Sequence, residues 1–323
     1  MRCPLAESEM RVIVLFPGAL GDPCLLAPAL AAMAARGARV ELSIQRSLAL
    51  VAAMLLPAAT LGPPIDGAVM AGLFADQLTQ GLREWLRGAD RVHAWLARGD
   101  ADGRVRSHFS ELGIAAHMHA VPRSDGEGHV GEEYAAALGL AGWQAPIHPT
   151  PPATPIALPW RRAGSARVLL HPGAGARAKC WAADGFRRVA DAWIEGDGEA
   201  AVLLGPAEEE DAEWWQAGGH ELVAGLSIMD AAALIASAPG WIGNDSGMSH
   251  LAGTLGRWGV VFFGPTRPQR WRPLGGRLTT VEFLGRSVAP VARHALDVLG
   301  VHPPGHSLTP LFSSISVALE HTG

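Results

Sequence analysis

Arg11-Val12-Ile13-Val14-Leu15-Phe16, then Pro17-Gly18-Ala19-Leu20-Gly21-Asp22-Pro23, then a helical pattern running to Arg36, reads as strand, loop and helix. Proline and glycine break up the apolar stretch 12–33, so neither a membrane span nor a signal-peptide core is expected there. No other window approaches about 18 uninterrupted apolar residues. A wholly apolar strand followed at once by a helix belongs to a parallel sheet with helices on both faces.

The alternation continues with strands predicted over residues 38–44, 90–93 and 115–120 and a helix over 76–87. A proline-dense segment, Ala145-Pro146-Ile147-His148-Pro149-Thr150-Pro151-Pro152-Ala153-Thr154-Pro155, interrupts it with the composition of a stiff connector. Beyond it, strands at 167–171, 200–204, 240–243 and 260–263 alternate with helices at 183–194, 227–237 and 246–255. A terminal helix over 307–321 is expected to pack back toward the first domain. The expected fold is α/β, with two Rossmann-like, doubly wound domains, 1–157 and 158–323, facing a central cleft. In such sheets ligands lie beyond the carboxyl ends of the strands, so the loops that follow strands are where chemistry belongs.

Composition narrows the partners. The 323 residues are 49% hydrophobic and 18% charged, a balance that folds into globular domains, and the length favours two of them. With a net charge of -5 the chain lacks the basic footprint of a nucleic-acid binder. Cys3, Cys24 and Cys180 share no CxxC spacing, which fits a reducing compartment. A cytoplasmic location is expected, with peripheral contact at the inner face of the membrane left open.

Of the 26 lysines and arginines, one alone is a lysine. Lys179 lies in the turn His171-Pro172-Gly173-Ala174-Gly175-Ala176-Arg177-Ala178-Lys179-Cys180-Trp181. Gly173 and Gly175 let backbone N–H groups approach an anion closely, and a compact ammonium adds a point contact to phosphate. The turn matches neither GxxxxGK[ST] nor GxGxxG, so neither a P-loop nor a dinucleotide fingerprint is present. A second corner, Trp241-Ile242-Gly243-Asn244-Asp245-Ser246-Gly247-Met248-Ser249-His250, ends a strand and starts a helix. Its first-turn N–H groups and the Ser246 hydroxyl converge on a point suited to a diphosphate.

Gly264-Pro265-Thr266 ends the next strand at the same sheet edge. Glu208, after strand 200–204, is placed to accept hydrogen bonds from a ribose diol, whereas Glu209, Glu210 and Asp211 form a solvated acidic face. In the first domain Asp22 falls at or near the N-cap of its helix, where the dipole favours an ionised carboxylate; capping alone also accounts for an aspartate there. Asp100 with Asp102, and His117 with His119, have metal-ligand spacings but no convergent partners in sequence, and no metal is expected.

In this order the motifs resemble those of glycosyltransferase family 9, the ADP-heptose:lipopolysaccharide heptosyltransferase group. Three carry the resemblance: Gly21-Asp22 with Pro28, the Pro172-Gly173 turn with Lys179 and Trp181, and Gly243-Asn244-Asp245-Ser246-Gly247 with His250 followed by Gly264-Pro265-Thr266. The resemblance implies a GT-B fold and an inverting, metal-independent transfer without a cofactor. The donor would be a nucleotide-diphosphate sugar, expected to be ADP-linked and heptose-like, and the acceptor a glycan or glycolipid, lipopolysaccharide core among them. It further implies that Asp22 is the general base, with Gly18 and Gly21 beside the acceptor, and that Lys179 and the Gly173 turn contact the diphosphate. Asp245, Ser246, Gly247 and His250 would form the phosphate-binding turn, Glu208 the ribose carboxylate, and Leu226 in Gly225-Leu226-Ser227 a wall against the base.

Two departures are visible: residues 1–160 hold no lysine to meet an acceptor as anionic as lipopolysaccharide, and Met248-Ser249 stands where a proline-methionine pair is common. A nucleotide-sugar epimerase and a non-catalytic nucleotide-sugar-binding protein are the alternative readings of the same segments.

Overall fold

The computed structural model describes residues 10–140 and 166–301; the connector at 145–155, the boundary at 157/158 and the terminal helix at 307–321 lie outside them. The chain divides into two compact units. Residues 10–140 with Gln269–Gly275 form the first, and residues 166–268 with 276–301 belong to the second.

In the first unit the chain runs β1 (Arg11–Leu15), α1 (Gly21–Ala35), β2 (Arg39–Ser43), α2 (Ala49–Leu55), β3 (Thr60–Leu61), α3 (Ala68–Ala71), α4 (Gln80–Leu86), β4 (Arg91–Ala94), α5 (Arg104–Glu111), β5 (Ala115–Met118) and α6 (Val130–Ala137). Its strands form one parallel sheet ordered β3-β2-β1-β4-β5. Val12 to Leu15 are buried, as a strand covered on both faces requires. The helix expected from residue 76 starts instead at Gln80, because Thr79 is its N-cap and accepts the Leu82 N–H at 3.3 Å.

The second unit runs β6 (Arg167–His171), α7 (Ala183–Glu195), β7 (Glu199–Leu203), α8 (Ala212–Ala217), β8 (Glu221–Val223), α9 (Ile228–Ser237), β9 (Gly240–Asn244), α10 (Gly247–Thr254) and β10 (Trp258–Phe263), and, after α11 (Pro268–Trp271), which belongs to the first unit from Gln269 on, β11 (Arg277–Glu282) and α12 (Val288–Leu299). The sheet is parallel throughout, in the order β11-β10-β9-β6-β7-β8. Six strands in that order make a Rossmann sheet. Its core joins Val168, Leu170, Ile242, Val260 and Phe262 from the strands to Phe186, Val189 and Trp193 from α7 and to Val291 and Ala295 from α12.

Both sheets reverse their strand order once, beside β1 and β4 in the first unit and beside β6 and β9 in the second. Outside the carboxyl ends of the strands, such a reversal opens a crevice between diverging helices. The loops after β1, β6 and β9 lead to Asp22 in the first turn of α1, to the Lys179 turn and to the Asp245 corner.

Candidate functional site

In the second unit, β6 and β9 are neighbours, with His171 in register with Gly243, so the turns that follow them emerge side by side. Asn244 ties the two together from a fully buried position. Its Oδ1 accepts the Trp181 N–H at 2.9 Å, and its Nδ2 donates to the Pro172 carbonyl at 2.5 Å. Trp181 anchors the far end of the turn by stacking on Phe262, with ring centroids 4.1 Å apart. Ser249 fixes the other corner by donating to the Asn244 carbonyl at 2.6 Å while accepting from the Trp241 indole at 2.9 Å.

That frame brings the lone lysine to the second corner. Lys179 Nζ lies 2.9 Å from Asp245 Oδ2, and the Thr266 hydroxyl donates to the same oxygen at 2.5 Å. Asp245 is 3% exposed, whereas the Lys179 side chain keeps 31% of its surface. An ammonium has three donors, and one is used here. His250 Nε2 stands 3.8 Å from Asp245 Oδ1. Asp245 does not cap α10, and its buried carboxylate orients Lys179. The N-cap is Ser246, whose hydroxyl accepts from the Ser249 N–H, and Gly247 opens the helix. The first turn leaves N–H groups without intrahelical partners, so a cation and a helix start converge on one point.

Glu208 lies in the short turn Pro206–Asp211 after β7, where it accepts the Gly205 N–H at 3.0 Å. Its carboxylate also rests against Gly173. A Cβ built on that glycine would lie 2.5 Å from either carboxylate oxygen. This close approach explains glycine at 173 and brings Glu208 to the same turn as Lys179. Glu209, Glu210 and Asp211 are exposed, as expected for a solvated face. His171, beneath the turn, is bonded through Nδ1 to the Leu203 carbonyl at 3.0 Å, and burial pushes its pKa down. Leu226 is half-buried in the loop between β8 and α9.

In the first unit the loop after β1 is closed by Asp22 itself. Asp22 is not the N-cap but the second residue of α1, and its Oδ2 accepts the Ala19 N–H at 2.9 Å. Gly18 admits this fold, because a Cβ there would lie 2.6 Å from both Asp22 Cβ and the Phe16 ring. Gly21 is the first residue of the helix. Asp22 Oδ1 accepts the hydroxyl of Tyr134 at 3.1 Å, a partner 112 residues away that the sequence does not reveal.

The other candidates part from this set. Asp100 caps α5 by accepting from Val105 and Arg106, and Asp102 pairs with Arg104. His117 and His119 stand with His93 in a stack of near-parallel rings, not in a converging ligand set. Among the described residues no group of three or more His, Cys, Asp or Glu is arranged to hold a metal ion, and no helix is long and apolar enough to cross a membrane.

Two doubly wound parallel-sheet units, one presenting an ammonium beside a helix start at its topological switch point, define the GT-B type of fold. Residues 135–294 match the model of glycosyltransferase family 9 (heptosyltransferase), and the chain is a family 9-like glycosyltransferase. The matched segment contains Gly173, Lys179, Glu208, Leu226 and the residues 245–250, and leaves Gly18, Gly21 and Asp22 outside it.

Among solved structures, the chain resembles the E. coli heptosyltransferase WaaC with ADP, at TM-score 0.65 and 18% identity, covering 90% of this chain and 99% of that one. It also resembles the E. coli ADP-heptose lps heptosyltransferase II, at TM-score 0.66 and 17% identity over 90% and 97% of the two chains. A third likeness is to the family 9 glycosyl transferase from Veillonella parvula DSM 2008, at TM-score 0.65 and 18% identity over 97% and 96%. A search of curated proteins returns no match.

Proposed function

We propose that this chain transfers a heptose-like sugar from an ADP-linked donor to a hydroxyl of a glycan or glycolipid, lipopolysaccharide core being one such acceptor. In this reading Lys179 and the α10 start hold the donor's diphosphate, Glu208 accepts from the ribose hydroxyls, and Leu226 lies by the base. The acceptor oxygen attacks the anomeric carbon from the side opposite the diphosphate. The new C–O bond forms as the old one breaks, the nucleoside diphosphate leaves with the electron pair, and the configuration inverts. Asp22 takes the acceptor's proton, a role usually worth about 10²- to 10⁴-fold in rate. The diphosphate gains negative charge as it leaves, and fixed donors stabilise it without a metal.

The observation that carries the reading is the Lys179–Asp245–Thr266 cluster at the start of α10, inside the family-matched segment. WaaC, which shares this fold, has been solved with ADP, and that supports adenine as the base. The test is a thermal-shift panel of ADP, UDP and GDP with the Lys179→Ala variant beside the wild type, followed by transfer from ADP-heptose in the presence of EDTA. Stabilisation by ADP, lost in the variant, with EDTA-insensitive transfer is expected. No stabilisation by any nucleotide diphosphate would overturn the donor assignment, and full turnover by Asp22→Asn would remove the base.

A further inference from the structure

We propose that Tyr134 is a positioning residue for Asp22, holding one carboxylate oxygen so that the other face of the group is aimed at the acceptor hydroxyl. The inference rests on Asp22 being the base.

Tyr134 is the one tyrosine in the chain, it is 1% exposed, and its hydroxyl donates to Asp22 Oδ1 at 3.1 Å. With the Ala19 N–H on Oδ2, each carboxylate oxygen is held by a separate donor, one from the loop and one from α6. The pair of bonds fixes the plane of the carboxylate. The phenol is in turn locked by its ring, which meets Phe16 and Trp95 edge-on at 5.4 and 5.6 Å between centroids.

Its helix is pinned as well. His129 caps α6, with Nδ1 accepting the Gly131 N–H at 3.1 Å and Nε2 directed to the Arg272 carbonyl at 2.8 Å. Next to Tyr134, Glu133 receives the buried Arg270 guanidinium at 2.5 Å. Burial, the Asp22 carboxylate and Glu133 push the phenol's pKa well above its usual value, against a smaller opposing effect of Arg270. The hydroxyl thus remains a donor wherever the enzyme is folded. A core tyrosine could satisfy its hydroxyl on a backbone carbonyl; here it is aimed at the proposed base.

The test compares Tyr134→Phe with Asp22→Asn in transfer from ADP-heptose, with ADP affinity by calorimetry and thermal midpoints for each. Tyr134→Phe keeps the ring and removes only the donor. The expected result is a fall in kcat of about 10- to 100-fold with donor KM, ADP affinity and midpoint unchanged. The acid limb of the pH–rate profile should move to higher pH, because an ionised carboxylate loses a hydrogen bond.

Because position 134 holds the sole tyrosine, growth on 3-fluorotyrosine alters this hydroxyl alone. The more acidic phenol should move the acid limb to lower pH, so the idea remains testable if Tyr134→Phe does not fold. An unchanged kcat and acid limb in Tyr134→Phe, with Asp22→Asn inactive, overturns the role of Tyr134 and leaves the base intact. Losses of ADP affinity and midpoint in step with kcat overturn it too, as a structural effect. Full turnover by Asp22→Asn removes the base, and this inference with it.

Discussion

Lys179 and Asp245, 66 residues apart in the chain, meet at 2.9 Å, and the carboxylate of the pair is buried while the ammonium is not. The arrangement places the charge that could repel a phosphate inside and its counter-ion at the surface. The lysine is held at one donor and has two to offer.

Removing that lysine should therefore weaken donor binding and leave Asp245 short of a partner. Lys179→Ala is expected to lower ADP affinity by about 10- to 100-fold, the worth of one charge-assisted hydrogen bond, as read by calorimetry. Since the lysine is part-exposed, the stability loss should be only about 1–2 kcal/mol. Lys179→Arg should not restore binding, because a planar fork does not reproduce a point ammonium in this turn.

Asn244 bears on stability more than on chemistry. Asn244→Ala strands the Trp181 N–H and the Pro172 carbonyl, whose partner it is at both ends. A cost of about 2–4 kcal/mol is expected from two buried groups left unsatisfied, measurable as a lower urea midpoint.

Gly173→Ala drives a methyl into the Glu208 carboxylate. If Glu208 serves the ribose, ADP binding should weaken by about tenfold, the worth of one hydrogen bond, while inorganic pyrophosphate binding changes little. Parallel titrations with the two ligands check this, and equal losses for both would place the effect on the phosphate turn instead.

The stack of His93, His117 and His119 makes the first unit acid-sensitive. Burial above all, and then His119, His117 and Arg91, lower the pKa of His93 to about 3 from an ordinary 6.5. The folded state thus refuses a proton that the unfolded chain takes up below pH 6.5, so this contribution to stability is full above 6.5 and is lost progressively as pH falls toward 3. About 2 kcal/mol should be gone by pH 5. Burial also lowers the pKa of His119 and His129, and their losses carry the same sign. Urea unfolding at pH 7.5 and 5 should show the drop, and His93→Asn should shrink the difference.

Much of this was legible in the order of residues. The apolar runs at 11–16 and 167–171 announce covered parallel strands, and each glycine-rich corner announces a helix start. β11 escaped notice because it alternates exposed and covered residues at a sheet edge, and α5 and α6 because eight residues give too few turns for a clear period. The corners were readable one by one; their meeting depends on β6 and β9 being neighbours, which local pattern does not encode. Tyr134 reads as one more apolar residue of a short helix, and Arg270 as one more surface arginine. Nothing nearby in sequence marks the aspartate of the one or the carbonyls of the other. Their roles come from contacts with residues more than a hundred positions away.

The return of Gln269–Gly275 to the first unit has a practical result for anyone cutting this gene. A product ending at the proline-rich connector would lack Arg270, and the carbonyls of Arg123, Glu127 and Gly128 with the carboxylate of Glu133 would face an empty seat. Chimaeras that exchange the first unit between relatives must therefore carry this late stretch along with the early one, or α6 arrives without its clamp.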